Sequence, residues 1–306
     1  MSTLDPAGRA AQSVLELFWW LVGGAAILWV VVIGLAVYAI RVNPRPHDRR
    51  RAAILIIGGG AVLPTFILTG YLIFGLAMLP GILEPAPEGS LRIHVTGEQW
   101  WWRVRYLPGD GESVELANEI RMPVGEPVEF ILDSPDVIHS FWIPSIGGKM
   151  DMVPGRVNRL TLEATRTGTF RGVCAEYCGE SHALMAFDAV VMERDEFDAW
   201  LARQASPAGS VADARVAAGR DAFLANGCGA CHRVRGTPAD GVVGPDLTHV
   251  GSRLSIGASI LPNDRDAILQ WVAATDAIKP GVHMPAFGML PEDELLAIAT
   301  YLEALQ

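Results

Sequence analysis

The sequence predicts a three-part chain: a membrane-spanning two-helix hairpin, a small all-β domain and a small all-α domain. Three observations carry this. The first 83 residues hold two uncharged runs, residues 17–40 and 52–83. From Leu91 onward, apolar and polar residues alternate in short stretches separated by turn residues. Beyond residue 206 the apolar spacing becomes helical, and a Cys-x-x-Cys-His sequence appears at Cys228-Gly-Ala-Cys231-His232.

The length of 306 residues accommodates an anchor and two compact domains. A helix needs roughly 20 apolar residues to cross the hydrocarbon core, and both runs exceed that. Both are also too long for the apolar core of a signal peptide. A buried helix pair in a soluble fold is the competing reading; uncharged runs this long are rare there. The expected helices cover about residues 17–40 and 52–80 of a hairpin spanning 1–84. Between them, Arg41, Arg45, Arg49, Arg50 and Arg51 crowd one short loop. The positive-inside rule puts that loop in the cytoplasm and everything after residue 83 on the opposite face, the periplasm of a bacterium.

Net charge is -10, unevenly spread: from Glu84 onward 31 acidic residues face 18 basic ones. An acidic soluble part disfavours nucleic acid and suits a basic partner such as a small electron carrier, although acidity alone also keeps a domain soluble.

In the second part, expected over residues 85–205, Leu91, Ile93 and Val95 alternate as in a half-buried strand. So do Val128, Phe130 and Leu132, then Leu160 and Leu162, then Ala189 and Val191. Several short strands at this spacing indicate a sandwich or barrel. The chemistry lies in Cys174-Ala-Glu-Tyr-Cys178-Gly-Glu-Ser-His182-Ala-Leu-Met185. Soft thiolate and thioether ligands with imidazole select copper over hard cations. One Cys with His and Met would suggest a mononuclear site. Two thiolates can bridge two metals, and each metal then needs its own nitrogen. His182 supplies one, and His139 is the best candidate for the other. Two readings compete: a zinc site of two Cys and two His, which leaves Met185 unexplained, and a Cys174–Cys178 disulfide. Met185 is also open to a plain core role.

The Cys-Ala-Glu-Tyr-Cys-Gly-x-x-His-x-x-Met loop resembles the binuclear copper (CuA) loop of cytochrome c oxidase subunit II. The resemblance extends over the hairpin and the domain to about Arg203. Gly97-Glu-Gln-Trp100-Trp-Trp102 is similar to that family's aromatic cluster, and Lys149-Met-Asp151-Met-Val-Pro154-Gly-Arg156 to its segment facing the catalytic subunit. The resemblance implies a cupredoxin barrel. It implies Cys174 and Cys178 as copper bridges, His139 and His182 as terminal ligands, and Met185 and the Glu176 carbonyl as weak ones. It further implies a magnesium ion near the Glu176 side chain, shared with the catalytic subunit, and Trp100 as the electron-entry tryptophan, although ordinary aromatic packing is the competing reading of each tryptophan. One departure is that the position where many members carry a Glu in the second helix falls near Ile57, in a run without acids. A proton entry through this subunit is thereby put in question.

Cys-x-x-Cys-His is the attachment signature of c-type haem, two thioethers and an axial imidazole, here from Cys228, Cys231 and His232. A redox Cys-x-x-Cys is the alternative, but its flanks should be βαβ. A helix is expected over residues 213–226, ending at Gly227, and another over 291–305 with Pro in its first turn. An electron carrier needs a second axial ligand. Residues 211–306 resemble the all-α class I cytochromes c, and their Met-Pro pattern points to Met284, with Met289 and His283 as alternatives. Residues 206–210 read as a flexible linker opening a third domain over 206–306.

The combined resemblance is to a caa3-type subunit II. It implies the electron-entry subunit of a cytochrome c oxidase, lodged in the bacterial cytoplasmic membrane with both soluble domains periplasmic. Its cofactors would be two coppers, one covalent haem c and a magnesium ion. Its partners would be the catalytic subunit I, subunit III and membrane lipid, with cytochrome c or a quinol–cytochrome c reductase as donor. A copper-containing nitric oxide reductase subunit and a stand-alone membrane-tethered electron carrier remain as alternatives.

Overall fold

Both apolar runs fold as long helices in the computed structural model, which describes residues 3–42, 48–109, 112–209 and 213–306. Arg45 and His47 of the basic loop, Asp110 and Gly111 of an expected turn, and Ser210 of the linker lie outside the described residues. The chain divides into two compact units, Gln12–Glu84, and Met1–Ala11 with Pro85–Gln306.

In the first unit, helix α1 (Arg9–Val37) runs on as a π-helical turn, Tyr38–Val42. The second span joins α2 (Arg49–Ala53), a π-helical stretch Ile54–Val62 and α3 (Leu63–Ile82) without a break. Each span is 34 residues long and contains an 18-residue stretch whose mean hydropathy is 2.4 in the first and 2.1 in the second. Both helices start before the apolar runs, at Arg9 and Arg49. Helix ends follow backbone hydrogen bonding rather than hydrophobicity, so polar residues extend them. The π-helical stretch contains Gly58, Gly59 and Gly60, whose freedom relaxes the regular ladder. The spans touch where the Tyr71 hydroxyl donates to the Trp20 carbonyl at 3.2 Å, beside Gly24. A small residue at that crossing lets the backbones approach.

The expected strands form two five-stranded sheets. One is ordered β3 (Val114–Ala117), β2 (Trp101–Leu107), β1 (Leu91–Glu98), β5 (Pro127–Asp133), β8 (Asn158–Glu163). The other is ordered β4 (Glu119–Pro123), β10 (Ala186–Met192), β9 (Gly168–Cys174), β6 (His139–Trp142), β7 (Met150–Met152). The β1–β5 and β4–β10 pairs are parallel and the rest antiparallel. The alternating residues Ile93, Val95, Val128, Phe130 and Leu132 all point inward and are fully buried. They meet an aromatic stack from the opposite sheet: Phe141 lies on Phe187 at 5.0 Å, and Trp102 meets Phe187 edge-on at 5.3 Å. Such pairs add about 0.5–1.5 kcal/mol each beyond their burial. This core is the rigid floor under the copper loop.

The chain start is part of this domain. The Ala7 amide donates to Ser145 O at 2.6 Å, the Thr165 amide to Ala7 O, and the Arg9 guanidinium meets Glu163. Helix α4 (Arg194–Ala205) then packs Phe197 and Trp200 against Tyr106.

The last domain is helical. Helix α5 (Ala214–Ala225) is capped by Asp213, whose side chain accepts from the Arg215 amide, and α6 (Arg265–Ala273) is capped by Asp264. A short α7 (Thr275–Ile278) leads to the distal loop, and α8 (Glu292–Ala304) closes the chain. Pro291 is the cap of α8 rather than its first helical residue, and Glu292, Asp293 and Glu294 fill the first turn, where the dipole favours acids. Helices α5 and α8 cross at Gly219, where an added Cβ would stand 2.0 Å from the Ala297 carbonyl oxygen. Gly219→Ala therefore gains helix propensity but forces the helices apart. We expect a net loss of about 1–3 kcal/mol, read in calorimetry of the full chain as a lower melting temperature for this domain; an unchanged transition would show that the crossing adapts freely.

The linker is more ordered than its composition indicates. The Arg235 side chain donates to the Gln204 and Ala205 carbonyls, the Ala208 amide donates to Arg235 O, and His249 bridges Ser206 O and Gln306 O. The following domain holds it through the His249 ring and the Arg235 carbonyl.

Candidate metal centres

Strands β9 and β6 bring the copper-loop residues together. Cys174 ends β9, and His139 begins β6 beside it, since Phe141 pairs with Cys174. The loop closes through the Cys174 amide to Met185 O and the Ala175 amide to Ser140 O, both 2.9 Å. The two Sγ atoms lie 3.8 Å apart. Cys174 Sγ stands 3.8 Å from His139 Nδ1 and 3.2 Å from the Glu176 carbonyl oxygen. Cys178 Sγ stands 3.6 Å from His182 Nδ1 and 3.8 Å from Met185 Sδ. The arrangement is pseudo-symmetric: each sulfur faces the other, one imidazole and one weak donor. A disulfide needs the sulfurs near 2.05 Å; both cysteines are free.

The electrostatics call for a cation. The contact between the two sulfurs holds the Cys174 thiol far below the usual range and pushes Cys178 up. Both sulfurs can be thiolates at once only with positive charge between them. Met185, 1% exposed and in contact with Cys178, adds a soft donor that zinc does not seek. The donor set thus fits a copper pair.

Asp136 was not assigned a role by sequence reasoning. Its carboxylate lies 2.9 Å from His139 Nε2 and so fixes the ring with Nδ1 toward the sulfurs. Burial opposes its ionisation, but amide donors from Val137 and Gln99 and the His139 ring outweigh that and hold the carboxyl below the usual range. A His three residues after an Asp was the available signal.

Trp100 is buried and donates from Nε1 to the Cys178 carbonyl oxygen at 2.9 Å. Trp102 packs edge-on over Phe187 and 6.3 Å from the His139 ring. Glu176 faces outward, 3.6 Å from Lys149 Nζ, which also bonds Asp151.

In the helical domain, Gly227 adopts φ 74° and turns the chain from α5 into the short helix Cys228–Ala230. Cys228 is half-buried and Cys231 exposed. The His232 Nδ1 lies 2.8 Å from the Pro245 carbonyl, which makes Nδ1 the donor and leaves Nε2 with its lone pair. Burial pushes His232 down, keeping it neutral for an iron. Gly244 packs flat against the ring; a Cβ there would lie 2.6 Å from it. Met284 is half-buried against the domain core, and its carbonyl accepts from the buried Thr275 hydroxyl. Met289 is 76% exposed, and His283 turns its ring toward Trp100. The two free thiols, a lone-pair imidazole and a hydrophobic core against which Cys228, Leu247, Phe287 and Leu290 pack fit a covalent c-type haem.

The comparisons with known proteins point the same way. The family model for the periplasmic domain of cytochrome c oxidase subunit II matches residues 106–193, and the cytochrome c model matches residues 216–306. Cytochrome c oxidase subunit 2 of Alkalihalophilus pseudofirmus is 32% identical over all of this chain and 91% of its own. That of Bacillus sp. strain PS3 is 34% identical over 72% of this chain and 63% of its own. The periplasmic domain of subunit II of cytochrome oxidase of Bradyrhizobium japonicum aligns at a TM-score of 0.37 and 33% identity, covering 39% of this chain and 96% of that one. Two electron-transfer domains behind an apolar helix pair define a membrane-anchored redox subunit. The chain belongs to the cytochrome c oxidase subunit II family, in the form with a cytochrome c domain fused behind the copper-loop domain.

Proposed function

We propose that this chain is the electron-entry subunit of a respiratory haem-copper oxidase, taking electrons at a covalent haem c and passing them through a CuA pair to a catalytic subunit that reduces oxygen to water and translocates protons. The carrying observation is that two free, buried sulfurs 3.8 Å apart each face their own imidazole, in a chain that also holds a Cys-x-x-Cys-His haem signature. When bound, the copper pair and the haem supply one-electron chemistry. Cys174 and Cys178 would bridge the coppers, His139 and His182 would each hold one, and Met185 and Glu176 O would be the weak donors. Asp136 orients His139, and Trp100 lies between the sulfur loop and the haem domain. Cys228 and Cys231 would carry the haem, with His232 and Met284 on its iron. The chain's residues thus hold, orient and shield the centres; no bond-making step falls to them.

The architecture follows as a hairpin over 1–84, a cupredoxin domain over 85–205 and a cytochrome c domain over 206–306. In the bacterial cytoplasmic membrane both soluble domains face the periplasm. The arginine-rich loop between the spans supports this by the positive-inside rule, and the bonds from Ala7 to the sheets fit an even number of spans. Glu176, outward-facing beside Lys149, would reach a magnesium ion shared with subunit I, and residues 149–156 would face that subunit. Subunit III and a cytochrome c or quinol–cytochrome c reductase donor complete the chain.

The purified complex decides among oxidase, nitric oxide reductase and lone carrier. We expect about two coppers and one haem c per copy of this chain, co-purification with a polytopic partner, and steady consumption of oxygen. Turnover of nitric oxide without oxygen, or purification without a partner, would overturn the proposal.

A further inference from the structure

The haem domain does not merely follow the copper domain; it is seated on its entry face. Gly281, at φ 76°, lies so close to Trp100 that a Cβ would stand 2.8 Å from the indole. The His283 ring is 6.5 Å from the same indole. Trp100 in turn bonds the Cys178 carbonyl. Two reciprocal bonds hold this contact. Ser181 of the copper loop donates from Oγ to the Pro280 carbonyl at 2.6 Å. Lys279 of the haem domain donates from Nζ to Leu184 O of the copper loop at 3.0 Å and to Gly257 O at 3.1 Å.

Lys279 is the more informative. It is 2% exposed, and its recorded partners are two carbonyls and no carboxylate. A buried lysine is costly unless its donors are satisfied where it sits. Burial pushes its amine down to about 7. The free amine and the ammonium both carry at least the two N–H donors that these carbonyls need, so the bonds survive either state. Residues elsewhere fix the same pose: buried Arg103 donates to Val242 O and Val243 O, and Glu119 accepts from the Leu254 amide. None of those touches the loop that bears Met284.

We propose that Lys279 and Ser181 are positioning residues that latch the haem domain's distal loop onto the copper loop, so that electron transfer from haem to copper pair proceeds from a permanently docked state. The step served moves one electron: the haem is oxidised, the copper pair is reduced, and no bond or proton is exchanged. This rests on the electron-entry reading above.

The test is flash reduction of the haem in the full complex, using a photoactivated ruthenium reductant, with the copper pair observed optically. In the wild type the transfer rate should not change as sucrose raises the solvent viscosity. In Lys279→Leu combined with Ser181→Ala, the rate should fall by about tenfold, the order expected when a docked state loses its hydrogen bonds, and become viscosity-dependent. Haem and copper spectra and both potentials should stay as in the wild type, which separates a lost dock from a damaged centre. Should the double variant not assemble, Ser181→Ala alone is expected to slow transfer in the same viscosity-dependent way. A viscosity-dependent wild type, or variants that match its rate, would overturn the latch. A wild-type haem that passes no electron to copper would instead sink the electron-entry reading.

Discussion

Cys178→Ser is expected to abolish the copper pair while leaving the haem attached. Cys178 Sγ stands 3.8 Å from Cys174 Sγ, 3.6 Å from His182 Nδ1 and 3.8 Å from Met185 Sδ. It therefore links three donors that do not otherwise meet. A serine oxygen is hard, remains protonated at neutral pH and does not bridge two soft metals. The remaining Cys174, His139 and Glu176 carbonyl hold at most one ion, so bound copper should fall from about two per chain to one or none. Electron paramagnetic resonance should lose the signal of an electron shared by two coppers, and haem-to-copper transfer should stop. The haem spectrum should persist, because Cys228 packs against a separate hydrophobic core and Cys231 follows it three residues on, away from the copper loop. A Cys178→Ser chain that kept both coppers and the shared-electron signal would contradict the bridging assignment. Fold damage does not explain the expected loss: serine matches cysteine in shape, and the loop's closing bonds, Cys174 N to Met185 O and Ala175 N to Ser140 O, use backbone alone.

Much of this site was legible because its chemistry is local. Four of the copper-loop donors fall within twelve residues, and the haem signature within five. The barrel was legible for a related reason: a half-buried strand shows its period, and Ile93, Val95, Phe130 and Leu132 all lie where alternation put them. What stayed hidden depends on distant partners. Asp5-Pro6-Ala7-Gly8 has no period, yet Ala7 is fully buried because Ser145 and Thr165 bond its backbone. Residues 206–209 have linker composition, yet the His249 ring meets Ser206 O and the Arg235 carbonyl accepts from the Ala208 amide. Lys279 and Arg103 are charged residues, which are expected at the surface. Lys279 is satisfied by the Leu184 carbonyl of the facing domain, 95 residues away, and Arg103, ion-paired to Glu98 and Glu115, also reaches the Val242 and Val243 carbonyls about 140 residues on; no local pattern carries those long-range bonds. Local chemistry named the centres; nonlocal hydrogen bonding decides how they face one another.

The proposed role of Met284 comes from the Met-Pro pattern of its loop, and Met284→Leu tests it with a large and specific effect. Thr275, fully buried, donates to the Met284 carbonyl and holds this loop position against the core, whereas Met289 is 76% exposed. A thioether opposite histidine favours the ferrous state and raises the potential. Leucine preserves the packing but offers no lone pair. The haem stays covalently attached through Cys228 and Cys231, its iron loses the sixth ligand, and its potential falls within the roughly 0.8 V range that axial ligands span. The sign of the consequence matters. A lower potential makes reduced haem a stronger donor to copper, so the internal step is not what fails. Loading the haem from outside fails instead, about tenfold for each ~59 mV lost by a one-electron centre. Oxygen consumption driven by the natural donor should therefore collapse, while activity driven by a strong artificial reductant recovers. Redox titration and the thioether–iron absorption band check the cause directly. If Met284→Leu keeps that band and Met289→Leu loses it, the axial ligand lies five residues further along, outside the packed segment.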